Sequence, residues 1–404
     1  MKLPVACLLA ALAAGPPNAL GQAPAAPPPA AAAPVAGAPA PAVPAPDTLQ
    51  SPEVRADGTI TFRLRAPKAT EVTVAGEWTR ANAPPNTPEK LTKDAAGVWS
   101  LTVGPVAPNI YIYAFTVDGV TITDPINPLV KLRARGSASM VEVPGAQPWD
   151  VRDVPHGALA IHTHAAATLH QATRQIFVYT PPDYDKNRSA RYPVVYLLHG
   201  NNDLAAGWTM AGKANLILDN LIAEKKAVPM IVVMPWGHAL PFGAHPAKGE
   251  PSNNDLFERY LLEDVRPLVE AKYRTAPGRR NRAVVGLSMG GAQALQLGLQ
   301  HRDLFASIGA FGAGMTRADF EARYAQAVAG LAADPNKIGF LYVGVGKEDG
   351  GRARAKELAD VLGGHGLPVI YRETEGGHTY PVWRKLLVDT APLLFKKTAG
   401  TGPS

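Results

Sequence analysis

Ser288 stands in Gly286-Leu-Ser-Met-Gly290, directly after the apolar run Ala283–Val285 and ahead of Ala292–Leu299, which reads as a helix. A serine between glycines at a strand-to-helix junction occupies a sharp, strained turn that lifts its hydroxyl clear of the sheet. Glycine on either side lets the two backbones close up. The same turn aims the backbone N–H of Met289 at the position of a developing oxyanion. A serine hydroxyl needs a base to take its proton, and the base needs a third group to fix its tautomer. His378 lies downstream in Glu375-Gly-Gly-His-Thr-Tyr-Pro-Val-Trp383, on a two-glycine loop after a strand ending near Glu373. His365, in Gly363-Gly-His-Gly366, is the rival base, but it follows a helix and so falls at the opposite end of a sheet. For the acid, Phe340–Val345 leads into Gly346-Lys-Glu348-Asp349-Gly350, with both carboxylates at the strand's C-terminal end. Asp349, short and beside a glycine, is favoured, and Glu348 is the alternative. A second oxyanion donor is expected after an early strand, where Leu197-Leu-His199-Gly200-Asn201-Asn-Asp203 offers the N–H of Asn201. His199 reads as a structural loop residue. The implied chemistry is attack of a serine on an acyl carbon, in a hydrolase or an acyltransferase.

Trp208, Trp236 and Trp383 fall on loops near these positions. They are candidate contacts for an aromatic acyl group or a sugar, with loop anchoring as the competing role. His162-Thr-His164 alternates like a pair of ligands but has no third ligand nearby, so no metal and no cofactor are expected.

These residues need a scaffold. Apolar runs at Arg174–Tyr179, Tyr192–Leu198, Met230–Met234, Arg282–Val285, Phe340–Val345 and Val369–Tyr371 alternate with amphipathic stretches at Ala214–Lys225, Phe257–Tyr273, Ala292–Gln300 and Ala353–Leu362. Strands apolar on both faces and separated by helices predict a doubly wound α/β sheet, with the chemistry beyond the carboxyl ends of the strands. Upstream, Ile60–Arg65, Glu71–Ala75, Gly97–Val103 and Tyr111–Val117 alternate with period two, and Asp94–Gly97 and Asp118-Gly119 supply turns. That pattern predicts a small immunoglobulin-like β-sandwich.

Met1–Ala14 carries one positive charge ahead of an apolar run shorter than the ~18 residues a membrane span needs, and small residues follow at Ala19, Gly21 and Ala23. This reads as a secretory signal peptide and places the protein outside the cell or in the periplasm. Gln22–Pro46 is almost entirely Ala and Pro, a semi-extended linker. The expected segments are residues 1–21 signal peptide, 22–48 linker, 49–146 sandwich, 147–397 α/β region and 398–404 tail. Cys7, the single cysteine, falls in the first, which excludes disulfide and thiol chemistry from the remainder. The net charge of +6 comes from scattered Lys and Arg without interleaved aromatics, which argues against a nucleic-acid partner. No second apolar run is long enough for a membrane span.

Two resemblances rest on these residues. Gly76…Trp78, Gly97-Val-Trp99, Tyr111-x-Tyr113-x-Phe115-x-Val-Asp-Gly119 and Asp124-Pro-Ile-Asn127 are similar to the glycogen-binding type of carbohydrate-binding module and to related early-set domains. The asparagine-containing turn usual in that module is missing around Glu77-Trp78-Thr79, and Trp99 shares the apolar face of its strand. A structural cap on the catalytic region is therefore expected in place of a glycan platform. Tyr179-Thr-Pro-Pro-Asp-Tyr184, Tyr196-Leu-Leu-His-Gly200, Trp208, Leu218–Ile222, Gly286–Gly291 and Gly376-Gly-His-Thr-Tyr-Pro-Val-Trp-Arg384 resemble the esterase D-type branch of the α/β-hydrolases, from about Val151 to Phe395. The similarity is greatest to the feruloyl and acetylxylan esterases of carbohydrate esterase family 1. The branch also contains enterobactin-type siderophore esterases, S-formylglutathione hydrolases and mycolyltransferases. The resemblance implies Ser288 as nucleophile, Asp349 as acid, His378 as base and the amides of Asn201 and Met289 as the oxyanion hole. It implies a feruloyl or acetyl ester on plant polysaccharide such as xylan as substrate. The competing expectations are a siderophore lactone, acyl transfer to a sugar alcohol, and a carbohydrate-binding protein on an inactive hydrolase scaffold.

Overall fold

Alternation along Val194–Leu198 sends Val195 and Leu197 to one face of a sheet and Val194, Tyr196 and Leu198 to the other, and all five are buried. A strand buried on both faces must be apolar throughout, which is why its sequence shows no polar positions. The computed structural model describes residues 48–78, 83–329 and 337–396. The expected signal peptide, most of the linker and the tail lie outside the described residues.

Eight strands lie side by side in the order Ala158–Ala166, Ala172–Thr180, Ile231–Pro235, Val194–Leu198, Arg282–Leu287, Ser307–Phe311, Phe340–Gly346 and Val369–Thr374. The last six run parallel, whereas Ala172–Thr180 is antiparallel to both of its neighbours. Helices Ala214–Ala223 and Tyr380–Thr390 pack on one face. Met289–Gln300, Arg317–Val328 and Arg352–Gly364 pack on the other, together with the helical segment Asn253–Lys272, which the π-turn Tyr260–Val265 interrupts. The arrangement is doubly wound, with the strands' carboxyl ends on one rim. No helix among the described residues is long and apolar enough to cross a membrane.

Two antiparallel sheets precede it. One orders Glu53–Val54, Ile60–Arg65, Val98–Val103 and Thr92–Lys93; the other orders Glu89–Lys90, Val72–Gly76, Asn109–Val117, Ala138–Val143 and Val130–Lys131. They share a core in which Phe62 stacks on Trp78 at 5.2 Å and meets Tyr113 at 4.7 Å. Trp78 and Trp99 are 2% and 7% exposed, and the Trp99 indole N–H donates to the Ala66 carbonyl at 2.9 Å, so neither ring is a surface platform.

Asn109–Val117 serves two cores at once. Tyr111, Tyr113 and Phe115 face the core of the β-region, while Ile110 and Ile112 join the cluster that holds Trp383, Leu386 and Leu387. Each such burial contributes roughly 1.5–3 kcal/mol, so continuous packing holds the β-region on the α/β layer. Arg384, fully buried, crosses this seam: its guanidinium donates to Asn109 Oδ1 and to the carbonyls of Ile110 and Ala211.

Candidate active site

Ser288 has φ 52° and ψ −116°, a conformation that L-residues rarely adopt. It ends the strand Arg282–Leu287 and precedes the helix Met289–Gln300. A Cβ on Gly286 would meet the carbonyl oxygen of Gly290, and one on Gly290 would sit 2.5 Å from the carbonyl oxygen of His199. Glycine at both positions is therefore a packing requirement of the turn.

His378 Nδ1 lies 2.7 Å from Asp349 Oδ2, and its Nε2 lies 2.9 Å from the Ser288 hydroxyl oxygen. A carboxylate only accepts, so Nδ1 carries the hydrogen and Nε2 is left as the acceptor for the serine proton. Burial raises the Asp349 carboxyl. The hydrogen bonds from the His378 ring N–H and the Gly351 amide outweigh it, leaving the carboxyl below its ordinary range. Glu348 is engaged elsewhere: it accepts the backbone N–H of Gly376 and so ties down the loop that carries His378. His365 caps the helix Arg352–Gly364 and bonds Glu321.

The other loop histidine is held on both sides. His199 Nδ1 lies 2.8 Å from the Gly200 carbonyl and its Nε2 accepts the N–H of Gly237 at 2.8 Å. These partners require the neutral Nδ1–H tautomer, and burial pushes the ring's pKa down. With no free lone pair, His199 is a structural anchor. His162 and His164 bond the hydroxyls of Tyr273 and Tyr260.

Among the described residues, the backbone N–H groups of Asn201 and Met289 donate to no protein acceptor. Asn201 lines a pocket of about 300 Å³ with Ser288 and His378, and the Met289 N–H is at the first turn of its helix. Free amides at a helix start favour negative charge.

Five residues of that pocket come from the β-region, Glu77, Asn86, Ile112, Lys131 and Arg133, of which Glu77, Lys131 and Arg133 are charged. Glu77, buried, accepts the N–H of Ile112 at 2.9 Å and of Tyr380 at 3.1 Å. Lys131 forms a buried ion pair with Asp203, which also accepts the Tyr380 hydroxyl. Asn202 accepts the N–H of Arg135 at 2.7 Å and of Ala134 at 3.4 Å. The β-region thus grips both loops that carry the site. Sequence reasoning overlooked these residues. Their one signal was polar side chains at Glu77 and Lys131 beside otherwise apolar strands.

The tryptophans divide. Trp383 lines the pocket, edge-on to His378 at 5.1 Å, and sits on the helix Tyr380–Thr390, not on a loop. Trp208 corrects the expectation of a substrate contact: it is fully buried in the short helix Gly207–Met210, and its indole donates to the Leu198 carbonyl at 2.9 Å. Trp236 does not line the pocket either; the Arg174 guanidinium lies 5.3 Å from its ring centre.

A mostly parallel, doubly wound sheet with a serine at its strained strand-to-helix turn defines an α/β-hydrolase-type protein. The Esterase family model matches residues 167–394, and the chain belongs to that family, in the part related to carbohydrate esterase family 1. Over 358 residues it is 31% identical to the endo-1,4-beta-xylanase/feruloyl esterase of Xylanibacter ruminicola, covering 85% of this chain and 46% of that protein. The chain thus spans less than half of that relative's length. A solved ferulic acid esterase is 25% identical, with a TM-score of 0.52, covering 60% of this chain and 98% of its own. The enterobactin esterase of Shigella flexneri, solved in the presence of enterobactin, is 18% identical with a TM-score of 0.62, covering 83% and 92%. That last likeness is one of fold.

Proposed function

We propose that the protein is an exported serine esterase that hydrolyses feruloyl or acetyl esters on plant polysaccharide such as xylan through an acyl-enzyme. The observation that carries the reading is the unbroken chain from Ser288 through His378 to Asp349. His378 Nε2 takes the hydroxyl proton as Ser288 Oγ bonds to the acyl carbon. The carbonyl oxygen becomes an oxyanion, for which the amides of Asn201 and Met289 are the proposed donors. As the tetrahedral adduct collapses, the C–O bond to the alcohol breaks and His378 returns the proton to the departing oxygen. Water, deprotonated by the same ring, then releases the acid and restores the serine. Asp349 holds the imidazole in the required tautomer throughout. Trp383 is the proposed contact for an aromatic acyl group.

The preference for feruloyl over other acyl groups is supported by the Xylanibacter ruminicola relative and the ferulic acid esterase structure. We read the two N-terminal sheets as an immunoglobulin-like cap that builds one wall of the pocket, since both candidate stacking tryptophans lie in its core.

The test is hydrolysis of p-nitrophenyl acetate, methyl ferulate, acetylated xylan and a catecholate trilactone by the wild type and Ser288→Ala. Ferulate or acetate release that disappears in the variant is expected. Undiminished activity of the variant sinks the mechanism, and turnover of the trilactone alone replaces the substrate by a siderophore. Acyl product on a sugar alcohol makes the protein a transferase.

A further inference from the structure

We infer that Arg133 makes this pocket selective for esters that carry an anionic group, a carboxylate or comparable planar oxyanion, close to the bond that Ser288 attacks. The inference rests on the esterase reading above and names its substrate class more closely.

The charged side chains of the pocket wall from the β-region and the adjoining loop are Glu77, Lys131, Arg133 and Asp203. Lys131 and Asp203 neutralise each other as a buried pair. Both oxygens of Glu77 are occupied by the amides of Ile112 and Tyr380. Burial raises the Glu77 carboxyl, which weakens it as a counter-charge. Arg133 differs. It is half-buried, and among the described residues it has neither a hydrogen-bond nor an ion-pair partner. Burial sets the direction at both Glu77 and Lys131; the Arg133 charge opposes the rise at Glu77 and adds to the fall at Lys131.

A guanidinium stays protonated at any working pH and presents its donors as a planar fork that fits a carboxylate bidentately. Partial burial without a partner is costly, and a ligand anion removes that cost. The backbone on either side is fixed: Lys131 is held by Asp203, and the amides of Ala134 and Arg135 by Asn202. Arg133 is therefore set in a defined place beside the Asn201 loop, in the same cavity as the Ser288 hydroxyl. A neutral ester leaves it unpaired, whereas an anionic one pairs it.

The test compares ester pairs that differ by one charge. On the acyl side these are p-nitrophenyl butyrate and mono-p-nitrophenyl succinate. On the alcohol side they are the acetyl esters of methyl glucoside and methyl glucuronoside. The readout is the anionic-to-neutral ratio of kcat/KM in the wild type, Arg133→Gln and Arg133→Lys. The expected result is a ratio that falls roughly ten- to hundredfold in Arg133→Gln on at least one side, the range of a charge-assisted hydrogen bond, with partial recovery in Arg133→Lys. The side that responds locates the anion. A ratio unchanged in both arms, with hydrolysis still abolished by Ser288→Ala, overturns the inference and leaves the esterase reading standing. Hydrolysis that survives Ser288→Ala overturns both.

Discussion

The carboxylate of Glu77 reaches across 303 positions of sequence to accept the backbone N–H of Tyr380 at 3.1 Å, two residues past His378. The same side chain accepts the N–H of Ile112, in the strand that packs the β-region onto the α/β layer. The turn that carries the candidate base is thus braced by a residue outside the α/β sheet. A misplacement of about 1 Å in such a constellation costs on the order of 10²-fold in rate.

Glu77→Ala removes one acceptor from two buried amides. It is expected to cost about 1–3 kcal/mol of stability and to lower kcat more than it changes KM. Chemical denaturation alongside steady-state kinetics tests this. A loss of stability with kcat intact makes Glu77 a purely structural brace. Glu77→Gln, which keeps one acceptor oxygen, should fall between the two.

Ser288 holds a backbone conformation that costs a non-glycine residue about 1–3 kcal/mol. Ser288→Gly is therefore expected to raise the unfolding midpoint while abolishing hydrolysis. Ser288→Ala, which keeps a Cβ, should abolish hydrolysis without that gain. Equal midpoints for the two variants remove strain from the account of this turn.

Asp349→Asn retains the shape but favours the wrong imidazole tautomer, and about a 10³–10⁴-fold fall in kcat is expected. Glu348→Gln disturbs only the brace on Gly376, so a loss of about tenfold or less is expected. Rates for the two single variants decide, and the larger loss at Glu348 would reverse the assignment.

Stability should decline as pH falls below neutrality. Burial lowers the pKa of His199, and burial with the neighbouring His199 ring brings His238 down to about 4. The unfolded chain takes up these protons near the ordinary value of about 6.5, the folded protein only later. Below about 6.5 the unfolded state binds more protons, so stability is complete above that pH and drains away toward about 4. Asp349, with its lowered pKa, adds a second loss where the unfolded carboxyl protonates first, near about 3.8. Urea midpoints from about pH 8 to about pH 4 measure the slope, and His238→Asn should flatten part of it.

How far the sequence could be read depended on how local each signal was. Buried parallel strands such as Phe340–Gly346 announce themselves as unbroken apolar runs. Ala158–Ala166 does not, because it is an edge strand with Leu159 and Ile161 exposed, and neither does Ser307–Phe311, whose small residues leave a weak signal. Trp208 and Trp383 looked alike in sequence. One is walled into the core and the other borders the cavity, a difference set by packing partners far along the chain.

By itself the sequence determined the strained serine turn, the strand-end positions of the carboxylates and histidine, and their chain order. Those follow from residue spacing within a few positions, where backbone sterics and strand periodicity act. Only the tertiary structure decided that Asp349, not Glu348, meets His378, and that Glu77, Lys131 and Arg133 of the β-region wall the same cavity. Such contacts join residues tens to hundreds of positions apart, as with Glu77 and Tyr380. They arise from the packing of Asn109–Val117 against the helix that carries Trp383, an arrangement no local pattern encodes.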